Sequence, residues 1–181
     1  TFSVARRLLV QNPRFAHALL GQITEATIAY LKGQIAAGAD IVQIFDSWAG
    51  VLSRKLFLEF ALPYLHRIAA TITEVPVIVF AKGANFALDQ LAKLPCEVLG
   101  LDWTLEPETA IAQAPKMAFQ GNMDPAMMYA PQDVLRAETL AMLDRFPSGR
   151  HIANLGHGIY PDMPRENVQL FVDTIKEFRY S

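Results

Sequence analysis

The chain has 181 residues, of which 52% are hydrophobic and 19% are charged, so its composition excludes a disordered protein and predicts one globular domain over residues 1–181. A net charge of −2 gives no support for nucleic acid or an anionic membrane as a partner. The single cysteine, Cys96, excludes an internal disulfide and a zinc site of several cysteines, and it suits a reducing compartment. No apolar run approaches the ~18 residues of a membrane span.

The first predicted element is a helix that begins at Asn12 and Pro13, a capping side chain followed by a proline suited to a first helical turn. Apolar residues then recur at helical spacing: Phe15, Leu19, Ile23, Ala26 and Tyr30. Gly38 predicts the end of this helix. A short β-branched run predicts a strand over 40–46, and a helical region follows over 53–73, interrupted at Pro63.

The rest of the chain repeats the same alternation of strand and helix. Strands are predicted over 75–81, 97–103, 116–122 and 150–156, and helices over 86–94, 107–113, 131–146 and 164–178. Five such units predict an α/β fold with a parallel sheet covered by helices. Two architectures fit: a doubly wound sheet, or the C-terminal five units of a (β/α)8 TIM-type barrel.

Polar, aromatic and glycine residues follow every predicted strand. These stretches are 46–50, 82–85, 102–103, 121–124 and 154–158. In both architectures ligands bind at the carboxyl ends of the strands. A single polar residue there is as well explained by capping of the next helix, but five such stretches together predict a ligand site.

Three familiar kinds of site are disfavoured. The glycines in 81–85 and 154–158 lack the spacing of a phosphate-binding loop. Ser47, in "FDSWAG", lacks the first glycine of a hydrolase nucleophile elbow. Three of the four histidines fall within helices or at a strand start: His17, His66 and His151. His157 is therefore the only histidine predicted at a strand end, and one histidine seldom makes a metal site, so no metal is predicted.

Hydrogen bonding to an anionic substrate is the remaining use for Ser47 and His157. A serine hydroxyl offers one donor, and an imidazolium donates from both nitrogens. Gly156 and Gly158 flank the histidine and permit a close approach of ligand to backbone. A solvated turn explains this glycine pair equally well, so the residues alone leave both interpretations open.

Five segments of the chain carry a family resemblance. They are "IFDSWAGVLS" (44–53), "FAKGA" (80–84), "LGLDWT" (99–104), "FQGNMDPAMMYAP" (119–131) and "NLGHGIYPDMP" (154–164). In this order they resemble the uroporphyrinogen decarboxylase family over nearly the whole chain. The pair "QGNMDP" and "NLGHG" is the most specific part of the resemblance.

The resemblance implies a (β/α)8 barrel of which this chain would be the C-terminal part. Family members are about twice this long, as a complete barrel requires. Their N-terminal half carries an arginine-rich substrate loop, a key aspartate and a tyrosine near the substrate. Because none of these occurs here, the chain is expected to be a partial barrel without its N-terminal half, poorly soluble and with little activity of its own. The family usually forms homodimers.

The implied reaction converts the four acetate side chains of uroporphyrinogen III to methyl groups, giving coproporphyrinogen III and carbon dioxide in haem and chlorophyll biosynthesis. A protonated pyrrole accepts the electrons, so this carboxy-lyase needs no cofactor. The expected location is the cytoplasm, or the plastid of a photosynthetic eukaryote. Ser47 and His157 are the implied substrate-binding residues, and no catalytic residue is assigned to this chain. Asp46, Trp48 and Asn154 are weaker candidates for shaping the cleft.

Two other functions compete with a decarboxylase. The first is a zinc-dependent methyltransferase barrel that works with a corrinoid or folate-like donor, and the single Cys96 argues against it. The second is a non-catalytic domain that binds an anionic small molecule.

Overall fold

A computed structural model describes residues 2–180, in which five β-strands alternate with helices. The strands are β1 (Val42–Asp46), β2 (Val77–Ala81), β3 (Val98–Gly100), β4 (Ala118–Met123) and β5 (His151–Leu155). The α-helices are α1 (Ser3–Gln11), α2 (Pro13–Ala36), α3 (Arg54–Phe60), α4 (Leu62–Thr71), α5 (Leu88–Leu91), α6 (Pro107–Gln113), α7 (Gln132–Asp144) and α8 (Arg165–Glu177). Short 3-10 turns span Ala49–Val51, Asn85–Ala87 and Pro125–Tyr129.

The chain divides within β3 into two compact units, residues 2–99 and residues 100–180. The sheet order is β1-β2-β3 in the first unit and β3-β4-β5 in the second, and the strand pairs β1–β2 and β4–β5 are parallel. A doubly wound sheet reverses its strand order at a switch point, whereas here the order follows the chain without reversal. The sheet therefore has the order of a (β/α)8 barrel.

The core of the first unit is built on β2. All five of its side chains are buried, as expected for a parallel strand covered on both faces. Phe57 of α3 and Phe60 at its end are buried as well. The imidazole of His17 stacks on Phe60, with ring centroids 4.6 Å apart, and its Nδ1 lies 2.8 Å from the Tyr64 hydroxyl. His17 thus contributes to packing between α2 and the α3–α4 region.

The core of the second unit lies between β4 and the helices α7 and α8. Its fully buried side chains include Phe119, Met128, Leu135 and Thr139. Asn167 of α8 is buried and donates from Nδ2 to the backbone carbonyls of Met128 and Ala130, both at 2.9 Å. This amide ties α8 to the turn that precedes α7.

Several predicted element boundaries differ from the observed ones. Residues 3–11 form the unpredicted helix α1. The predicted helix 53–73 breaks at Ala61, because Pro63 lies in the first turn of α4, where its missing N–H costs nothing. The predicted helix 86–94 shortens to α5 behind a 3-10 turn. Strand 97–103 shortens to β3, because the Asp102 carboxylate accepts the Thr104 N–H and turns the chain.

The apolar residues that predict α2 do not form its buried face. Phe15 is 54% exposed and Tyr30 is 67% exposed, whereas Ala16, Thr24 and Leu31 are buried. The short side chains of Ala16 and Thr24 leave room for close packing on the buried side.

None of the helices in residues 2–180 combines the length and apolar character that a bilayer crossing requires.

His151, at the start of β5, is a half-buried histidine that packs against an aromatic side chain. Its ring stacks on Phe146 at a centroid distance of 3.8 Å, and Nε2 lies 2.6 Å from the Gly121 carbonyl. Nδ1 is buried and has no hydrogen-bond partner among the described residues. Burial lowers the pKa of His151, and the bond to the Gly121 carbonyl offsets this only in part.

We therefore expect the free energy of unfolding to fall as the pH falls below the ordinary histidine value of about 6.5. The folded-state pKa of His151 lies below its unfolded value, so the unfolded chain binds the extra proton in that window. Urea unfolding between about pH 7 and about pH 5 measures the slope. His151→Phe should flatten it, and His66→Ala, which removes an exposed helical histidine, should not. Equal slopes in all three proteins would contradict this role.

Candidate functional site

In the first unit, the loops after β1 and β2 are joined backbone to backbone. The Lys82 N–H donates to the Asp46 carbonyl at 3.0 Å, and the Gly50 N–H donates to the Lys82 carbonyl at 2.9 Å. A Cβ placed on Gly50 would lie 2.9 Å from both Cα and the carbonyl oxygen of Gly83. Since real side chains do not come this close to a backbone, only glycine at position 50 permits the contact between the two loops.

Ser47 sits between two residues that fix the loop after β1. The Oδ1 of Asp46 accepts the Trp48 N–H at 3.3 Å, which closes a local turn around Ser47. Burial raises the pKa of the Asp46 carboxyl, and the Trp48 N–H partly opposes this. Ser47 is half-buried, whereas the Trp48 indole is 62% exposed and contacts Phe2 at a centroid distance of 4.9 Å. Asp46 thus shapes the loop, and Ser47 and Trp48 are its accessible groups.

In the second unit, the loop after β3 is held by two buried polar side chains. Asp102 is 2% exposed, and its Oδ1 accepts both the backbone N–H and the hydroxyl of Thr104, at 2.9 Å and 2.5 Å. Asn122, at the end of β4, donates from Nδ2 to the carbonyls of Asp102 and Leu105, at 3.2 Å and 2.7 Å. These bonds hold residues 102, 104 and 105, which flank Trp103 on both sides.

Two glycines bring the neighbouring strands against this loop. A Cβ on Gly121, whose φ is 131°, would lie 2.5 Å from the Leu101 carbonyl oxygen. A Cβ on Gly156 would lie 3.0 Å from the Asp102 carbonyl carbon and closer still to the Trp103 backbone nitrogen. The backbone after β5 therefore rests directly on the backbone after β3.

His157 follows Gly156 and is placed by this contact. Its imidazole is half-buried and lies beside the Trp103 indole, with ring centroids 6.5 Å apart and planes tilted by 37°. Asn154 is exposed, and its Oδ1 accepts the Leu155 N–H at 2.8 Å, which is a local bond within the strand end. An accessible imidazole held against an indole can donate a hydrogen bond to an anionic ligand.

The structure groups the sequence-predicted residues by unit. Asp46, Ser47 and Trp48 share the end of β1, and Asn154 and His157 share the end of β5. The roles of Asp102 and Asn122 were missed, although both lie in stretches named as strand ends, because their hydrogen bonds to backbone leave no pattern in sequence. Among residues 2–180, no three His, Cys, Asp or Glu side chains cluster as metal ligands would.

Comparisons with known proteins agree on one family. The family model described as uroporphyrinogen decarboxylase matches residues 1–178. The uroporphyrinogen decarboxylase of Mus musculus is 45% identical over 185 residues, which cover 97% of this chain and 50% of the mouse protein. That of Christiangramia forsetii is 44% identical over 181 residues, covering 99% of this chain and 53% of the bacterial protein. The chain thus spans about half the length of the curated relatives it matches.

One solved structure shows the same fold. A methyltransferase from Methanosarcina mazei superposes with a TM-score of 0.84 at 23% identity, over 95% of this chain and 52% of that chain. An identity this low informs on fold alone. Together with the strand order, it confirms the prediction of five strand–helix units of a TIM-type barrel.

Proposed function

Because this chain belongs to the uroporphyrinogen decarboxylase family, we propose that it forms the C-terminal part of an enzyme that converts uroporphyrinogen III to coproporphyrinogen III. The family match over residues 1–178 is the observation that carries this proposal. The N-terminal half of the barrel would supply the arginine-rich loop and the key aspartate of the family. The complete protein would act as a homodimer.

His157 is proposed to bind a carboxylate of the substrate. Uroporphyrinogen carries eight carboxylates, and an imidazole N–H to a carboxylate makes a charge-assisted hydrogen bond. The half-buried position beside Trp103 excludes part of the competing water, which strengthens such a bond. The contact of Gly156 with the loop after β3 orients the imidazole before the substrate arrives.

Ser47 is proposed to donate its hydroxyl to another substrate carboxylate. The turn closed by Asp46 and Trp48 holds Ser47 at the end of β1. The exposed Trp48 indole beside it offers an apolar face of the kind that packs on a pyrrole ring. A hydrogen-bond donor next to an aromatic surface suits a substrate that carries carboxylates on a macrocycle of pyrrole rings.

The proposed reaction requires Ser47 and His157 only to bind and orient the substrate. The electrons of the breaking bond between the acetate carbon and its carboxylate pass into the protonated pyrrole, and carbon dioxide leaves. A proton then adds to the resulting exocyclic carbon and the ring carbon releases its own extra proton, which restores the pyrrole and leaves a methyl group. The reaction therefore needs no separate electron sink, and the protein contributes substrate orientation, electrostatic stabilisation and a positioned proton donor.

A chimera tests this function. The N-terminal half of the mouse relative, joined ahead of residues 1–181, should convert uroporphyrinogen III to coproporphyrinogen III, measured by chromatography of the oxidised porphyrins. The 181-residue chain alone and the mouse half alone should each show little activity. A chimera that folds, by circular dichroism and thermal unfolding, but makes no coproporphyrinogen would overturn the proposal. An active 181-residue chain would overturn the need for an N-terminal half.

A further inference from the structure

Asn122 is a buried amide whose side chain donates hydrogen bonds to the backbone. Its side chain is 8% exposed, and Nδ2 donates to two carbonyls of the loop after β3, those of Asp102 and Leu105. An unpaired buried carbonyl is costly, so these bonds hold the loop in one conformation. The amide spans β4 and this loop, and it therefore couples two strand ends.

The loop that Asn122 holds is the surface on which the His157 segment rests. Gly156 lies against the backbone of Asp102 and Trp103, too close for any side chain. The next residue, His157, packs its imidazole beside the Trp103 indole. A shift of residues 102–105 would therefore move both the backbone under Gly156 and the ring beside His157.

We propose that Asn122 is a positioning residue: by fixing the loop after β3, it holds Trp103 against His157 and orients the imidazole for a substrate carboxylate. The part of this inference that concerns substrate depends on the proposed function, and the part that concerns the Trp103–His157 pair does not. Asn122 acts through Trp103 and has no assigned contact with substrate.

The chain offers an internal reporter for this arrangement. It contains two tryptophans, so Trp48→Phe leaves Trp103 as the only indole. Because a protonated imidazole quenches indole fluorescence on close contact, Trp103 emission in Trp48→Phe protein should be lower at about pH 5 than at about pH 8, a range in which imidazoles in general gain a proton. Adding His157→Gln should abolish this change. Fluorescence works at high dilution, which suits a chain with unpaired strand edges.

Asn122→Ala in the same background should remove most of the pH-dependent quenching. The matched control is Asn167→Ala, because Asn167 is equally buried and also donates to two backbone carbonyls, those of Met128 and Ala130. The control should lose similar stability and keep the quenching. Unchanged quenching in Asn122→Ala, or equal loss in both variants, would overturn the positioning role. Quenching that survives His157→Gln would overturn it as well.

Kinetics of the chimera test the consequence for substrate. Asn122→Ala should lower kcat/KM by about 10- to 100-fold, since small displacements of positioning groups carry penalties of this order. Asn167→Ala should change kcat/KM far less at a temperature where both variants are folded. Loss of quenching without any loss of kcat/KM would overturn the link to substrate but not the Trp103–His157 pair. A chimera that is inactive throughout would count against the proposed function and leave the fluorescence result standing.

Discussion

Replacement of Gly156 by alanine is expected to destabilise the protein by about 3 kcal/mol, the upper end of the usual cost of overpacking. The new methyl group would lie 3.0 Å from the Asp102 carbonyl carbon and nearer still to the Trp103 nitrogen. Both atoms belong to the backbone of the loop after β3, which hydrogen bonds of the Asn122 and Asp102 side chains hold in place. No flexible side chain can give way, so the segment after β5 must move. Urea unfolding at fixed pH measures the loss.

Gly158→Ala is the matched control for this substitution. Gly158 stands on the other side of His157, and a Cβ there would have nothing within 4 Å. Its replacement should change the free energy of unfolding by no more than about 0.5 kcal/mol, as for an ordinary surface site. Equal effects at the two glycines would show that the contact with the loop after β3 does not constrain this segment.

His157→Gln should cost the active chimera about 10- to 100-fold in kcat/KM. The loss corresponds to the 1.5–3 kcal/mol typical of a hydrogen bond to a charged group. Glutamine is similar in size, but its flexible amide does not hold a donor at the position of the imidazole N–H beside Trp103, so the variant tests the oriented donor. Steady-state rates of coproporphyrinogen formation provide the measurement.

The same experiment must separate catalysis from folding. His66→Gln removes an exposed histidine on α4 and should leave both rate and stability unchanged. His157→Gln should unfold at the same urea concentration as the parent protein, because the imidazole is half-buried and is not part of the hydrophobic core. Normal kinetics together with normal stability would refute the binding role assigned to His157.

Much of the fold could be predicted because each strand is recognisable from the apolar residues within a few neighbouring positions of the sequence. β2 is a run of five buried apolar residues, and such a run between turn residues indicates a strand in any parallel sheet. Helix α6 was predicted with its observed bounds, because Pro107 fits only a first helical turn. The strand order could not be predicted from the pattern, since barrels and doubly wound sheets repeat the same unit.

The buried face of α2 shows where the local signal fails. Periodicity correctly located a helix, but Phe15 and Tyr30 lie on its exposed side, and the smaller Ala16 and Thr24 lie on its buried side. Helix contacts select shape as well as hydrophobicity, and small residues permit closer approach of the neighbouring helix. Spacing alone does not report which of two apolar faces finds a partner.

The strand ends that carry the candidate residues could be predicted from the sequence, but the contacts that hold these strand ends in place could not. Polar residues after strands indicated Ser47 and His157, and the family resemblance gave them expected roles. The close approach of Gly156 to residues 102 and 103, and the two carbonyls served by Asn122, join positions far apart in the chain. Such contacts depend on tertiary packing. In the sequence they are visible only as one glycine and one asparagine, which do not indicate their partners.

Because the backbones of Gly50 and Gly83 are in contact, the loops after β1 and β2 cannot be exchanged independently in protein engineering. TIM-type barrels are often treated as scaffolds whose loops can be exchanged one at a time. Here a transplanted loop that places any side chain at position 50 would collide with Gly83, 2.9 Å from the new Cβ. A design that alters specificity near Ser47 must therefore transplant both loops as a matched pair, or retain both glycines.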